Sequence, residues 1–249
     1  MEEKNRVSII DADFIPYYIC YNKKDETPKT LDDIYVGINK YMTFLLDITK
    51  ATRFVGFLSP KKTFRNDINT EYKAQRKTSY ICYLHEAKVY LKEQWRCLIF
   101  DNLEADDCCL ILENQLKNDY NITIISPDKD IRFTEGNRYN PNKNEFSVCT
   151  KDQSDEYFWK SMIIGDSADN IKGVPGKGIK FAEKLFDIKT RYEATTLMIY
   201  VDYFGEYKGI EEFYKNYKSL MILRECEDFK FDINDLIYYD YKERVNKEE

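Results

Sequence analysis

Eight acidic residues in four separated groups carry most of the chemistry this chain offers. They are Asp11, after the apolar run Val7-Ser8-Ile9-Ile10; Glu104, Asp106 and Asp107; Asp128 and Asp130; and Asp166 and Asp169. Three of the groups fall at, or just past, the C-terminal end of a short apolar run that reads as a β-strand. In open α/β sheets that edge is where ligands bind. Carboxylate oxygens are hard ligands that suit Mg²⁺ or Mn²⁺. Gathered on one edge, so many acids repel one another unless cations lie between them. The pattern predicts a divalent-metal centre.

Other chemistries are poorly supplied. His85 is the only histidine, so Ser-His-Asp and Cys-His catalysis would both need this one ring, far from any nucleophile motif. The simplest reading of His85 is a surface or packing residue. Seven cysteines show no Cys-x-x-Cys pair, which argues against zinc and for reduced thiols in a cytoplasmic setting. No apolar run approaches the roughly 18 residues of a membrane span. The charged N-terminus leads straight into a strand, unlike a signal peptide.

The net charge of −6 conceals local basic patches. From Lys61 to Lys77 six basic residues (Lys61, Lys62, Arg65, Lys73, Arg76, Lys77) face two acidic ones, Asp67 and Glu71. From Lys172 to Lys184 four lysines accompany one glutamate. Basic patches beside an acidic metal centre suit a phosphodiester substrate. A solvated charged face is the plainer reading of either patch alone.

The elements that must position these residues alternate. Strands are expected at Arg6–Ile10, Arg53–Leu58, Cys97–Phe100 and Asn121–Ser126. Helices are expected at about Phe14–Tyr21, Leu31–Ile48, Tyr80–Trp95 and Glu104–Lys117. In the second helix Ile34, Ile38, Met42 and Leu45 recur at helical spacing. This rhythm predicts an α/β chain with a mostly parallel central sheet and helices on both faces. Short strands should follow around the Asn140-Pro141-Asn142 turn, and the chain beyond about Asp155 reads as helical. The division expected is a catalytic α/β region over 1–150 and a helical region over 151–249, packed as one compact unit.

Glycines at 173, 176 and 178 with Pro175 force a tight turn before an amphipathic segment, Phe181 to Phe186. Such a turn exposes backbone N–H groups that can hold a phosphate without reading bases. It directly follows the Asp166/Asp169 group. The stretch from Asp166 through Ile179 resembles the helix–three-turn–helix signature of the 5′ nuclease superfamily, which comprises flap endonucleases, phage 5′-3′ exonucleases and the 5′ nuclease domain of bacterial DNA polymerase I. The Glu-Ala-Asp-Asp at 104–107, the Asp-Lys-Asp at 128–130 and the Tyr-Lys-Ala-Gln-Arg at 72–76 are similar to that family in kind and order. The resemblance covers about residues 6–190.

It implies a PIN-like sheet with a helical arch at about 60–95 and a helix–three-turn–helix region at about 160–187. It also implies two-metal hydrolysis of phosphodiesters near single-strand/duplex junctions, with two Mg²⁺ ions that Mn²⁺ can replace. Asp11, Glu104, Asp106 and Asp107 would serve the first metal; Asp128, Asp130, Asp166 and Asp169 the second. Lys73 and Arg76 would stabilise the scissile phosphate, with Asp106 and Asp107 the central catalytic acids. Tyr72 would stack on a base, and Lys77 would add to the DNA contact. Gly173, Gly176, Lys177, Gly178 and Lys180 would bind the duplex backbone, with K⁺ at the turn. The implied partners are 5′-flap, nicked or gapped DNA and RNA–DNA hybrid, with the chain a monomer alongside replication proteins.

One departure stands out. The family carries a further aspartate at the end of the second strand, and Leu58 occupies that place. Ser59, Asp13 and Asp67 are the residues placed to compensate. The departure also leaves open a non-catalytic or weakly active member that binds branched DNA. A phosphatase using Asp11-Ala12-Asp13 would leave the basic segment and the glycine turn without a role.

Overall fold

A computed structural model describes residues 5–21, 29–76, 81–186 and 191–239. Its centre is a six-stranded sheet made of β1 (Arg6–Asp11), β2 (Arg53–Phe57), β3 (Asn121–Ile125), β4 (Gly136–Asn140), β5 (Glu145–Cys149) and β8 (Ile237–Tyr238), in the order β5-β4-β3-β1-β2-β8. The four inner strands run parallel, and β5 and β8 are antiparallel at the edges. Inner parallel strands are covered on both faces, which is why Val7 to Ile10 and Ile122 to Ile125 are almost continuously apolar. Alternation along β1 divides its side chains. Val7 and Ile9 pack with α5 (Ala105–Leu116) and the stretch containing Ile222, Phe229 and Leu236. Ile10 packs on the other face against α1 (Phe14–Cys20), α2 (Leu31–Ile48) and α4 (Leu84–Gln94).

Helix starts follow local chemistry. Thr30 caps α2 by accepting from Asp33 N, while Asp33 accepts from Thr30 N. Thr150 and Gln153 form the same reciprocal box at α6 (Lys151–Ile164). Each box satisfies two donors that the helix itself leaves unpaired. Beyond α6 lie the small ladder β6 (Gly165–Asp166) and β7 (Ile171–Lys172), then α7 (Ile179–Leu185), α8 (Tyr192–Phe204) and α9 (Glu206–Leu220). These helices share a third core around Met162, Ile163, Ala182, Tyr200 and Phe213. No helix among the described residues is long and apolar enough to cross a membrane.

Two expectations change. Cys97–Phe100 is not a strand of the sheet: it meets β2 through a single bridge, Phe57 to Leu98, with hydrogen bonds Leu98 N to Gly56 O and Leu58 N to Leu98 O. Left-handed Arg96 and Asn102 bend the backbone on either side of it. The C-terminal part is also not helical throughout, because residues 221–236 return to the sheet and end in β8.

Candidate active site

Asp11 ends β1, and Asp128 and Asp130 follow β3, the neighbouring parallel strand. The Ser126 hydroxyl donates to Asp11 Oδ2 at 2.9 Å and accepts from Asp128 N at 3.1 Å, which ties the two groups together. Burial, then the charges of Asp13 and Asp128, pushes the Asp11 carboxyl up to about 7. Burial and Asp128 do the same for Asp130, also to about 7. Asp130 Oδ1 is buried and accepts no hydrogen bond. Asp166, on β6, is held by Lys129 Nζ at 2.5 Å and by Ala168 N at 2.7 Å. Burial raises its pKa, but these two bonds outweigh burial and leave it below the usual carboxylate value.

The third group sits at the start of α5. Glu104 is the N-cap residue, and its backbone N–H donates to Asp107 Oδ2 at 3.1 Å. Asp106 accepts from Asp107 N at 2.7 Å. Burial, reinforced by Asp107 and Glu104, raises the Asp106 carboxyl well above its ordinary value. Asp107 departs from its expected role. It is fully buried, and Arg65 grips both oxygens, Nη1 to Oδ2 at 2.6 Å and Nη2 to Oδ1 at 2.8 Å. Leu223 N adds a bond to Oδ1 at 2.9 Å. With each oxygen already accepting two hydrogen bonds, no lone pair remains for an ion. In this structure Asp107 serves as a buried structural acid, with both oxygens already committed.

The segment after α3 (Phe64–Ile68) brings in cations. Lys73 Nζ bonds Glu104 Oε1 at 2.7 Å, and Arg76 Nη2 bonds Asp169 Oδ1 at 2.5 Å. Burial disfavours the Lys73 ammonium, but Glu104 and Asp169 outweigh it and raise its pKa. Tyr72 is a second correction. Only 4% exposed, it packs in the third core, and its hydroxyl donates toward Glu104 Oε2 (2.9 Å) and Asp169 Oδ2 (3.1 Å). A ring buried in this way has no free face for a base; it bridges two acid groups instead. Lys77 lies outside the described residues.

The glycine turn divides by role. Gly173 has no room for a side chain, because a Cβ would stand 2.2 Å from Ile163 O and 2.5 Å from Gly165 N. Close backbone packing therefore requires glycine at this position. Gly176, at φ +75°, and Gly178 face open space. Lys180 is exposed, and Lys177 lies 4.4 Å over the Phe181 ring. His85 is exposed on α4.

The acids thus share an open edge of the sheet. A cavity of about 520 Å³ lined by Glu113, Asn121, Thr134 and Arg224 lies at the opposite, N-terminal end of β3. An open edge suits a polymer substrate better than a closed pocket would.

Residues 6–137 match the family model described as the 5′-3′ exonuclease, N-terminal resolvase-like domain. The chain belongs to the 5′-3′ exonuclease family. The 5′-3′ exonuclease of Buchnera aphidicola subsp. Acyrthosiphon pisum is 30% identical over 199 residues, which cover 72% of this chain and 69% of that protein. The 5′-3′ exonuclease of Mycoplasmopsis pulmonis is 27% identical over 205 residues, and the match spans 72% of this chain and 65% of that one. The fold matches bacteriophage T5 flap endonuclease, solved as a pseudo-enzyme–product complex with DNA and metal ions, with a TM-score of 0.64 at 19% identity over 88% of this chain and 89% of the other.

For a 5′-3′ exonuclease family member, the donor set fits divalent metal in kind. It offers hard oxygens, a buried Asp130 Oδ1 that accepts no hydrogen bond, and acids raised by burial and by neighbouring carboxylates. Among the described residues, no three acids are already drawn together into a cage for an ion. Protein cations hold several of them instead: Lys73 on Glu104, Lys129 on Asp166 and Arg76 on Asp169. Asp11, Asp106 and Asp128 are bonded to hydroxyl and backbone N–H groups, which leaves them the readier ligands.

In the sequence Arg65 is only one member of a basic patch. The structure makes it a buried clamp that also donates to Ser219 O and Met221 O. A lone arginine beside Phe64 at the start of a short helix was the available signal. Its partners 154 and 156 residues away were not legible.

Proposed function

We propose that this chain is a structure-specific, metal-dependent 5′ nuclease that hydrolyses phosphodiesters at single-strand/duplex junctions of 5′-flap, nicked or gapped DNA, and of RNA–DNA hybrid. The observation that carries this reading is the joining of all four acid groups with Lys73 and Arg76 at one sheet edge. Tyr72 bridges Glu104 and Asp169, Ser126 bridges Asp11 and the Asp128 backbone, and Lys129, between Asp128 and Asp130, reaches Asp166. Two Mg²⁺ or Mn²⁺ ions held by these acids would supply an activated water and charge neutralisation for the attacking and leaving oxygens.

The residues divide the remaining work. Asp11, Asp106, Asp128 and Asp130 would be the principal ligands, with Glu104, Asp166 and Asp169 available to join them in place of their pairs with Lys73, Lys129 and Arg76. Lys73 and Arg76 then have the scissile phosphate as the anion to pair with, and their fixed charge stabilises it. In this reading about residues 60–95 contribute a helical arch, with Lys77 among its DNA contacts. About residues 160–187 contribute a helix–three-turn–helix unit. Gly176, Lys177, Gly178 and Lys180 meet the duplex backbone there, and K⁺ can sit among main-chain carbonyls of the turn. The catalytic region is then 1–150, joined by the stretch 221–238 that returns to its sheet, and the helical region runs from 151 to 220, in a monomeric PIN-like enzyme of the cytoplasm that acts beside replication proteins.

The test is cleavage of a 5′-labelled flap duplex with Mg²⁺, with EDTA, and with Asp106→Asn. Metal-dependent cutting near the junction, lost in the variant, is the expected result. Tight binding of the flap without cutting, even in Mn²⁺, would instead favour a branched-DNA binder, for which the aliphatic Leu58 is the specific observation.

A further inference from the structure

Position 58 is where the acid set is short, and the structure changes how that gap reads. Leu58 is 2% exposed and belongs to the apolar cluster of Ile10, Ala12, Ala87 and Leu91. Of the residues able to compensate, Asp67 pairs with Lys62 at the surface, both well exposed. The Ser59 hydroxyl already accepts from Ala105 N at 2.9 Å, the first residue of α5. Asp13 is different. It occupies the N-cap position of α1, where an aspartate ordinarily accepts from its own helix, yet its side chain makes no such bond. It turns instead to the strand end, where Oδ2 accepts from Ser59 N at 3.1 Å. Its other oxygen, Oδ1, accepts from Lys88 Nζ of α4 at 3.3 Å, and its own N–H donates to Asp11 Oδ1 at 3.4 Å. The carboxylate thus lies beside Asp11 and over the peptide that follows Leu58.

We propose that Asp13 supplies the carboxylate that position 58 lacks, with Lys88 as its exchangeable counter-ion. This rests on the metal-dependent reading above. The Asp13 and Lys88 side chains are 29% and 35% exposed, so their ion pair is weak enough for a divalent cation to displace. Lys88 then becomes free to meet a phosphate. The acid has moved from the end of the second strand to the start of the first helix, and the apolar core has kept the vacated position.

The test is Mn²⁺ binding by isothermal titration calorimetry without DNA, on wild type, Asp13→Asn, Lys88→Met and the double variant, with a thermal melt of each. Asp13→Asn should weaken the site about 10- to 100-fold, the range for partners that orient or supplement metal ligands. Lys88→Met should tighten it by about three-fold, because the competing ammonium is gone. In the double variant the Lys88 effect should vanish, leaving affinity within about two-fold of Asp13→Asn alone. Unaltered affinity in Asp13→Asn, or a Lys88 effect that persists without Asp13, overturns the proposal. If Asp13→Asn does not fold, Lys88→Met decides alone, and unchanged or weaker binding overturns it. Wild type that takes up no Mn²⁺ would sink the metal-dependent reading as well, which separates that failure from this one.

Discussion

Without metal, the folded chain should lose stability as pH rises from about 4 to 7, and divalent cations should restore it. Asp11 and Asp130 are each lifted from 3.8 to about 7. Between those values the folded chain holds protons that the unfolded chain has released. Unfolding therefore becomes easier as pH rises through the window, and the effect levels off above about 7. At about 1.4 kcal/mol per pH unit, one such carboxyl is worth on the order of 4 kcal/mol. Both shifts include repulsion from Asp128, so the two are not independent, and one carboxyl's worth sets the scale. For a chain of this size that corresponds to a fall in Tm on the order of 10 °C. Asp106, also raised, acts in the same direction; Asp166, held low, adds stability that is lost only as pH falls through the acid range. Glu113, also raised by burial, acts in the same direction. The assay is differential scanning calorimetry at pH 5.5, 6.5 and 7.5, in EDTA and in saturating Mn²⁺. Mn²⁺ should raise Tm strongly at pH 7.5 and weakly at pH 5.5, where protons compete. A Tm in EDTA that stays level or climbs with pH, or equal stabilisation by metal at both ends, would refute the reasoning.

Arg65→Met should cost about 3–5 kcal/mol in urea unfolding, because Asp107 is left charged and buried without its partner. Replacing Asp107 by leucine in the same chain should recover part of that loss, and a single-variant cost below about 1 kcal/mol would deny the clamp its role. Leu58→Asp should not repair the metal site. It places a carboxylate among Ile10, Ala87 and Leu91, with an expected cost on the order of 3–5 kcal/mol and no gain in Mn²⁺ affinity. A variant with unchanged Tm and tighter metal binding would show that residue 58 faces the acids after all.

The parallel core was legible because its strands are short, apolar and separated by helical periods. Helix α2 matched its expected limits because Thr30 and Asp33 mark its start and its apolar stripe runs unbroken. Cys97–Phe100 misled because apolar composition does not reveal whether a segment gains two ladder neighbours or only one bridge. The terminal strand β8 has two residues, too few to show any period.

The sequence by itself determined which residue types are available: oxygen ligands in four groups, two basic patches, a glycine turn, and no histidine to spare. It also ordered them along a chain whose strand ends must converge on one edge. Only tertiary structure decided how those acids divide. Asp106 and Asp107 are adjacent and chemically identical, yet successive residues at a helix start point in different directions. Asp106 stays half-buried and accepts only a backbone N–H, while Asp107 meets Arg65 in the core. Tyr72 turned from a surface ring into a buried bridge for the same reason, since contacts with Glu104 and Asp169 come from segments 32 and 97 residues away. Local pattern specifies a residue's period and chemistry; which partner its side chain meets depends on how distant segments pack.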